Sequence, residues 1–287
     1  MDRTDALAAL RRSTLVRDDS GPTRVYRDPA GNVFNSVTTI LGATADKTNL
    51  EGWVARQDRI YGPGAAAQDR TVAATRGTQA HSQAEYLLKT ANKVARATAN
   101  RRGVLRIDVH GLPHIPTPIF RWAMERTLPN LPPVSLSAKG YARGLTEWIA
   151  GNVTQCHASE FAIHHPAGFA GTGDAFLSVF LQLLLQLGAD PGIDPHVPLV
   201  ADFKTSANKR SPEMMADYVL QTGAYSLGLA HCTGIRAGGA LIVVARRVGP
   251  PDLTFISRSD LTIAEAGFLE RLDAFKAIQG KAQKSHS

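Results

Sequence analysis

The chain has 287 residues, of which 44% are apolar and 20% charged. That is an ordinary globular balance, with enough apolar material for a core without disulfides. The two cysteines, Cys156 and Cys232, fit no zinc spacing and are too few for a four-thiolate iron–sulfur cluster, so they are expected as reduced thiols. The net charge of +7 and the sequence pI of about 9.6 favour a polyanionic partner such as nucleic acid, although solubility alone would account for them.

The start, MDRTDALAALRRS, carries acidic residues and too short an apolar run for a signal peptide. The most apolar stretch, residues 175–187, is interrupted by Ser178, Gln182 and Gln186 and is too short to span a bilayer. A cytoplasmic protein without membrane contact is expected.

Residues 24–41, RVYRDPAGNVFNSVTTIL, read as a hairpin around DPAGN that leads into a helix. Residues 50–62 and 66–100 have helical composition. Arg76-Gly77-Thr78 predicts a break in the second stretch, with Thr78 capping a new helix. Residues 101–115 have no period and contain Gly and Pro, so an irregular loop is expected. Helices follow at 117–128 and 136–151, separated by PNLPP. Residues 159–165 read as a strand, and Gly168 to Gly173 as a glycine-rich turn. Every odd position from Ala175 to Leu187 is apolar, which predicts one long strand. A strand at 197–205 follows. Ser211 and Pro212 cap and open a helix to about Ala230. Strands at 240–247 and 253–257, a helix at 261–278 and a frayed tail, KAQKSHS, complete the chain. This order predicts an α/β (α+β) fold with one mixed central sheet.

VADFKTS at 200–206 carries the sharpest chemistry. Asp202 and Lys204 are two apart on a strand and share a face, while Phe203 points into the core. Alone, the pair would read more readily as solvated strand charges. Asp174, at the start of the neighbouring strand, adds a second carboxylate. It meets Asp202 only if the long strand bends or its pairing is offset. Two carboxylates and the backbone carbonyl of Phe203 make an oxygen-rich site suited to Mg²⁺ or Mn²⁺. With the Lys204 ammonium beside it, such a site has the parts for phosphodiester hydrolysis by water. Gln221 and Tyr225 are four apart and share a helical face. His81 and Glu85 do the same on an upstream helix. Both pairs also fit plain helix surface. Arg76 precedes a possible phosphate site at Gly77.

In order, SVTTIL (36–41), RGTQAHSQAEYLL (76–88), GFAGTGDAFLSV (168–179), VADFKTS (200–206), QTGAYSLGLA (221–230) and ALIVVARR (240–247) resemble the PD-(D/E)XK nuclease superfamily. The resemblance is to its RecB-like branch, in the subgroup of the mitochondrial genome maintenance exonuclease and related phage exonucleases. It implies a restriction-endonuclease-like core behind an N-terminal hairpin and a helical N-terminal half. It also implies Asp174 and Asp202 as metal-binding acids, Lys204 as the motif lysine, His81 as a further metal ligand, and Gln221 and Tyr225 as the branch's Gln-x-x-x-Tyr element. Glu160, on the strand before Asp174, is a candidate assistant, as is Glu85.

Gly173 stands where the family motif has proline, and residues 101–115 and 181–197 look inserted. The four cysteines of the iron–sulfur subgroup are lacking.

The resemblance implies one nuclease domain over 1–287. It comprises a hairpin region at 12–42, a helical part at 50–151 and a catalytic core at 159–278. The expected activity is a Mg²⁺- or Mn²⁺-dependent DNA exonuclease on single-stranded ends or flaps. Arg76, Lys209, Arg210, Arg246 and Arg247 are candidate phosphate contacts, and a single-strand-binding or recombination protein is a candidate partner. A structure-specific endonuclease with the same site, or an inactive DNA-binding recombination accessory, remain alternatives. A phage-encoded protein would act in the cytoplasm of its bacterial host.

Overall fold

The computed structural model describes residues 7, 10, 14–108 and 111–284. Strands β1 (Val16–Asp18), β2 (Val25–Arg27) and β3 (Val33–Ser36) form an antiparallel meander. DPAGN makes the β2–β3 turn as its composition predicts. Asp28 accepts from the Asn32 backbone N–H, and Gly31 takes φ +84°. Residues 12 and 13 of the predicted hairpin region lie outside the described residues. Ser36 ends β3 and caps α1 (Val37–Thr44) by accepting from Thr39 N–H.

Helices α2 (Thr48–Tyr61) and α3 (Ala65–Arg101) follow. The break expected at Arg76-Gly77-Thr78 is absent, and α3 runs unbroken for 37 residues. Thr78 caps nothing; its hydroxyl donates back to the Ala74 carbonyl. Gly77 serves packing instead. A Cβ there would stand 3.3 Å from Thr205 Oγ1, so glycine lets the helix lie close against the sheet.

Residues 101–115 are more ordered than expected. A short ladder joins β4 (Arg106–Ile107) to β5 (Pro113–His114), and Leu112 and Ile115 are buried. Residues 109 and 110 of that segment lie outside the described residues. Helices α4 (Thr117–Thr127) and α5 (Leu136–Asn152) stand where predicted.

The next segment corrects two expectations. Strand β6 (Val153–His165) is followed by β7 (Phe169–Val179), so the predicted glycine turn over 168–173 is mostly strand. Only Gly168 turns, at φ +103°. The predicted long strand over 175–187 stops at Val179, and Leu181–Gln186 form the short helix α6. An apolar run cannot separate strand from helix by periodicity alone. In LQLLLQ, leucine's helix preference prevails, with Leu184 anchored in the core.

Strand β8 (Leu199–Ser206), helix α7 (Pro212–Thr233), strands β9 (Gly239–Arg246) and β10 (Asp252–Ser257), and helix α8 (Arg258–Lys284) complete the fold. Ser211 caps α7 as predicted, accepting from Met214 N–H. Helix α8 extends past the predicted 261–278 and takes in the first residues of the expected tail. Residues 285–287 lie outside the described residues.

The main sheet has eight strands, ordered β1-β2-β3-β7-β8-β9-β10, with β6 also paired to β7. It is mixed: β3–β7 and β8–β9 are parallel, β7–β8 and β9–β10 antiparallel. One face buries Leu177, Ala201, Phe203 and Val243 against α3, α4 and α5. The other buries Phe176, Val200, Ile242 and Val244 against α1, α7 and α8. Strands covered on both faces become apolar at every position, as β9 does from Gly239 to Ala245. This is the restriction-endonuclease-like α/β arrangement predicted. Among the described residues, no helix is long and apolar enough to cross a membrane.

Gly173 shows how tightly β7 is seated. A Cβ there would fall 2.5 Å from the Phe161 ring, and Phe161 is itself buried. Gly173→Ala is expected to destabilise the protein by about 1–3 kcal/mol through overpacking. Thermal denaturation checks this, with a fall in Tm of roughly 2–4 °C per kcal/mol.

Candidate active site

Strand β7 has two edges. β6 pairs along nearly the whole of one. β3 and β8 must therefore share the other. β3 pairs at Phe169 and Ala170, and β8 at Ala175 to Leu177. Residues 171–174 lie in the gap between them.

Extending the β7–β8 register by one residue from Ala175↔Ala201 sets Asp174 opposite Asp202. The β6–β7 register, between Ser159↔Ala175 and Phe161↔Gly173, sets Glu160 opposite Asp174. Three acids thus stand in a row across three strands. Glu160 takes φ +48°, an uncommon conformation for a residue with a side chain. The facing alternation of β7 also resets here. Cβ atoms on Gly171 and Gly173 would meet Tyr225 and Phe161, which belong to the same core layer as Phe176. The bend that convergence required is therefore present.

Helix α3 brings His81 to this gap from the other layer. Its Nδ1 lies 3.2 Å from Asp174 Oδ1, and its ring stands edge-on to Phe203. Asp174 Oδ2 accepts from the Phe203 backbone N–H at 2.6 Å. Ligand atoms of His81, Glu160 and Asp174 all lie within 4.8 Å of one another. The Asp202 carboxylate is turned to Lys204, whose Nζ lies 2.6 Å away. Asp202 is 1% exposed, and Lys204 Nζ stands 2.6 Å from each of its carboxylate oxygens.

The electrostatics follow from crowding acids in a buried place. Burial pushes the Glu160 carboxyl up to about 7, helped by repulsion from Asp174 and Glu85. Burial also raises Asp202, to about 6, against the pull of Lys204 and with the push of Asp174. Burial would raise Asp174 too, but His81, Lys204 and the Phe203 N–H together hold it below the ordinary carboxylate value. For His81, burial disfavours the charged ring, but Asp174 outweighs it and raises the pKa. Burial works against the Lys204 ammonium as well, yet Asp202 and Asp174 hold it charged.

His81, Glu160, Asp174 and Lys204 line a cleft of about 380 Å³, while the buried Asp202 does not reach it. Helix α7 contributes Gln221 and Tyr225, with Gln221 Nε2 donating to the Tyr225 hydroxyl at 2.7 Å. Glu85 lines the cleft from α3 and pairs with Lys89 at 2.5 Å.

The predicted phosphate contacts are not gathered here. Arg76 lies over the Tyr141 ring at 4.9 Å. Arg210 donates to the Thr205 carbonyl, and Lys209 is exposed on the loop after β8. Arg246 pairs with Asp252, and Arg247 lines a separate cleft against α5. Besides Lys204, the cleft holds two arginines, Arg17 and Arg24, from β1 and the β1–β2 turn, both bonded through Nε to Asp19. Neither was singled out from the sequence: Arg17 precedes the first predicted element and Arg24 only begins it. The β1–β2 turn folds β1 back on β2, and its Gly-Pro pair was the available signal.

The donors suit a hard divalent cation. A histidine and two carboxylates converge, and a third carboxylate adjoins them. The pKa directions give a check that needs no substrate. Without metal, Glu160 and Asp202 hold protons to a higher pH in the folded protein than in the unfolded chain, so stability falls as pH rises from about 4.5 toward about 7. Glu160→Gln is expected to raise the metal-free Tm at pH 7.5 and to lose most of the Tm gain that Mn²⁺ gives the wild type. Calorimetry with and without Mn²⁺ measures both.

No family model matches this sequence, and no curated protein matches it. Among solved structures, the chain is similar to an alkaline exonuclease from Laribacter hongkongensis. The TM-score is 0.26 and the identity 17%, over 56% of this chain and 82% of that one.

Proposed function

We propose that this protein is a divalent-metal-dependent deoxyribonuclease that hydrolyses phosphodiester bonds as an exonuclease on single-stranded DNA ends or flaps. The observation that carries the proposal is the convergence of His81, Glu160 and Asp174, with the Asp202–Lys204 pair beside them, in the gap left by β3 and β8 on β7.

His81, Asp174 and Asp202 would hold the metal, with Glu160 added by its place opposite Asp174. The Phe203 carbonyl is a further ligand. N–H and C=O of one strand residue leave the same edge, and Phe203 N–H is directed at Asp174. Mg²⁺ or Mn²⁺, when bound, supplies charge neutralisation at the phosphate and a lowered pKa for water. Lys204 does work of its own. Its ammonium is held charged and lines the cleft, where it stabilises negative charge developing on a phosphate oxygen. The Tyr218 ring lies 5.0 Å from its Nζ and keeps it in place.

Gln221 and Tyr225 orient a phosphate or a base edge through their remaining donors and acceptors. Arg17 and Arg24 each use Nε on Asp19. A guanidinium keeps further N–H donors for a phosphate. The cleft volume suits a strand end of about one nucleotide rather than a duplex.

The test is digestion of end-labelled single-stranded DNA in Mg²⁺, Mn²⁺ and EDTA. Wild type should degrade the strand only with metal. Lys204→Ala should lose about 10²–10³-fold in rate and still bind DNA. Asp202→Asn should also be inactive and should need more metal for any residual rate. Near-wild-type cleavage by Lys204→Ala would sink the proposed site. Cleavage of a covalently closed circular single strand would replace the exonuclease reading by an endonuclease one. Binding without cleavage in every metal would leave the accessory-protein reading.

A further inference from the structure

Residues 86–107 hold six basic and no acidic residues, a charge of +6 against +7 for the whole chain. Nearly all of the protein's surplus charge is therefore concentrated in the second half of α3 and the segment just after it.

The arrangement on the helix is directional. At 3.6 residues per turn, Thr78, Ser82, Tyr86, Lys89, Lys93 and Arg96 fall on one face. The opposite face carries Ala84, Leu87, Leu88, Ala91 and Ala95 into the core. Thr78 and Ser82 line the cleft. Tyr86, 40% exposed, comes next, and Lys89 and Lys93 are exposed beyond it. The stripe thus starts at the active-site cleft and runs away from it. From Ser82 to Asn100 the helix rises about 27 Å.

We infer that this face of α3 is a track for the single-stranded nucleic acid that continues out of the cleft, with Tyr86 as a stacking platform at the exit and Lys89, Lys93 and Arg96 on successive phosphates. The occupant follows from the chemistry. Glu85, at the cleft end, pairs with Lys89; beyond it the stripe is uniformly positive, which selects a polyanion. An exposed aromatic ring between the cleft and the charges suits an unpaired base, which a duplex does not offer. The track is continuous with a cleft whose volume admits one strand. No base edge is read, so binding is independent of sequence.

The inference rests on the nuclease reading only for what enters the cleft, and binding in EDTA tests it without cleavage. Affinity of the full chain is measured for single strands of about 4 and about 16 nucleotides across a range of salt. Wild type should bind the longer strand more tightly. The triple variant Lys89→Gln, Lys93→Gln, Arg96→Gln should lose that gain, and its log K against log salt should be shallower by about 2. The charge-keeping variant Lys89→Arg, Lys93→Arg, Arg96→Lys should behave as wild type. An unchanged slope in the Gln variant, or equal loss in the charge-keeping one, overturns the track. A length gain on duplex equal to that on single strands overturns the choice of occupant. Wild type that binds with this length dependence but cleaves nothing in Mg²⁺ or Mn²⁺ retains the track and refutes the nuclease.

Discussion

Two strands compete for one edge of β7, and the rest of the site depends on how that competition is settled. β3 takes Phe169 and Ala170; β8 takes Ala175 to Leu177. Neither can reach residues 171–174, and backbone polar groups left in such a gap need other partners. Side chains supply them. Asp174 accepts the Phe203 N–H that an unbroken ladder would have given to a carbonyl. A side-chain bond also spans the gap, between the Tyr26 and Thr172 hydroxyls at 3.2 Å. The groups of the candidate site are thus also the repair of an interrupted sheet, and the cleft exists because the interruption was never closed by a strand.

Placing three carboxylates there is costly, since buried ions lose hydration that mutual attraction only partly returns. Lys204 and His81 supply positive charge against Asp202 and Asp174. They do not complete the balance, because Glu160 and Asp202 are both held toward their neutral forms near pH 6–7. A divalent cation at His81, Glu160 and Asp174 would supply the missing charge. The same imbalance that weakens the metal-free protein is what a cation would be held by. The positive φ of Glu160 fits this logic, as backbone strain of this kind concentrates at ligand sites.

Much of this was legible from residues that act locally. Ser211-Pro212 starts a helix wherever it occurs before an apolar run, and DPAGN turns by its own chemistry, so both were placed correctly. Asp202 and Lys204 share a face because strand parity is local too. What failed depended on distant neighbours. Gly77 looks like a helix breaker until Thr205 is seen to lie against it, 128 positions later in the sequence. Gly171 and Gly173 look like a turn, but they are strand residues thinned to admit Tyr225 and Phe161. Leu181 to Leu187 satisfied a strand pattern while folding as helix α6, because leucine-rich runs fit both periods. Within the candidate site, Glu160 was undervalued because its place depends on the β6–β7 register. The arginines of β1–β2 were invisible because nothing local ties them to residues 160–204.

The unbroken course of α3 carries the largest functional consequence of these errors. A helix broken at Gly77 would leave the segment bearing His81 free to rotate about a joint four residues away. As one element, it fixes the imidazole against Asp174 through more than three turns of core packing on its far side, from Ala80 to Leu88 and on to Ala99. A glycine inside a helix costs about 1 kcal/mol relative to alanine. Here that cost is set against the close approach to β8, which determines the depth at which His81 enters the gap. The same continuity carries the basic stripe in fixed register with the cleft, since Thr78, Ser82 and Lys93 belong to one rigid body. Shifting that register by one residue would rotate every charge by about 100°, away from the cleft mouth and toward the core. The site and its approach are therefore aligned by a single helix, and the residue that seemed to interrupt it is the one that seats it.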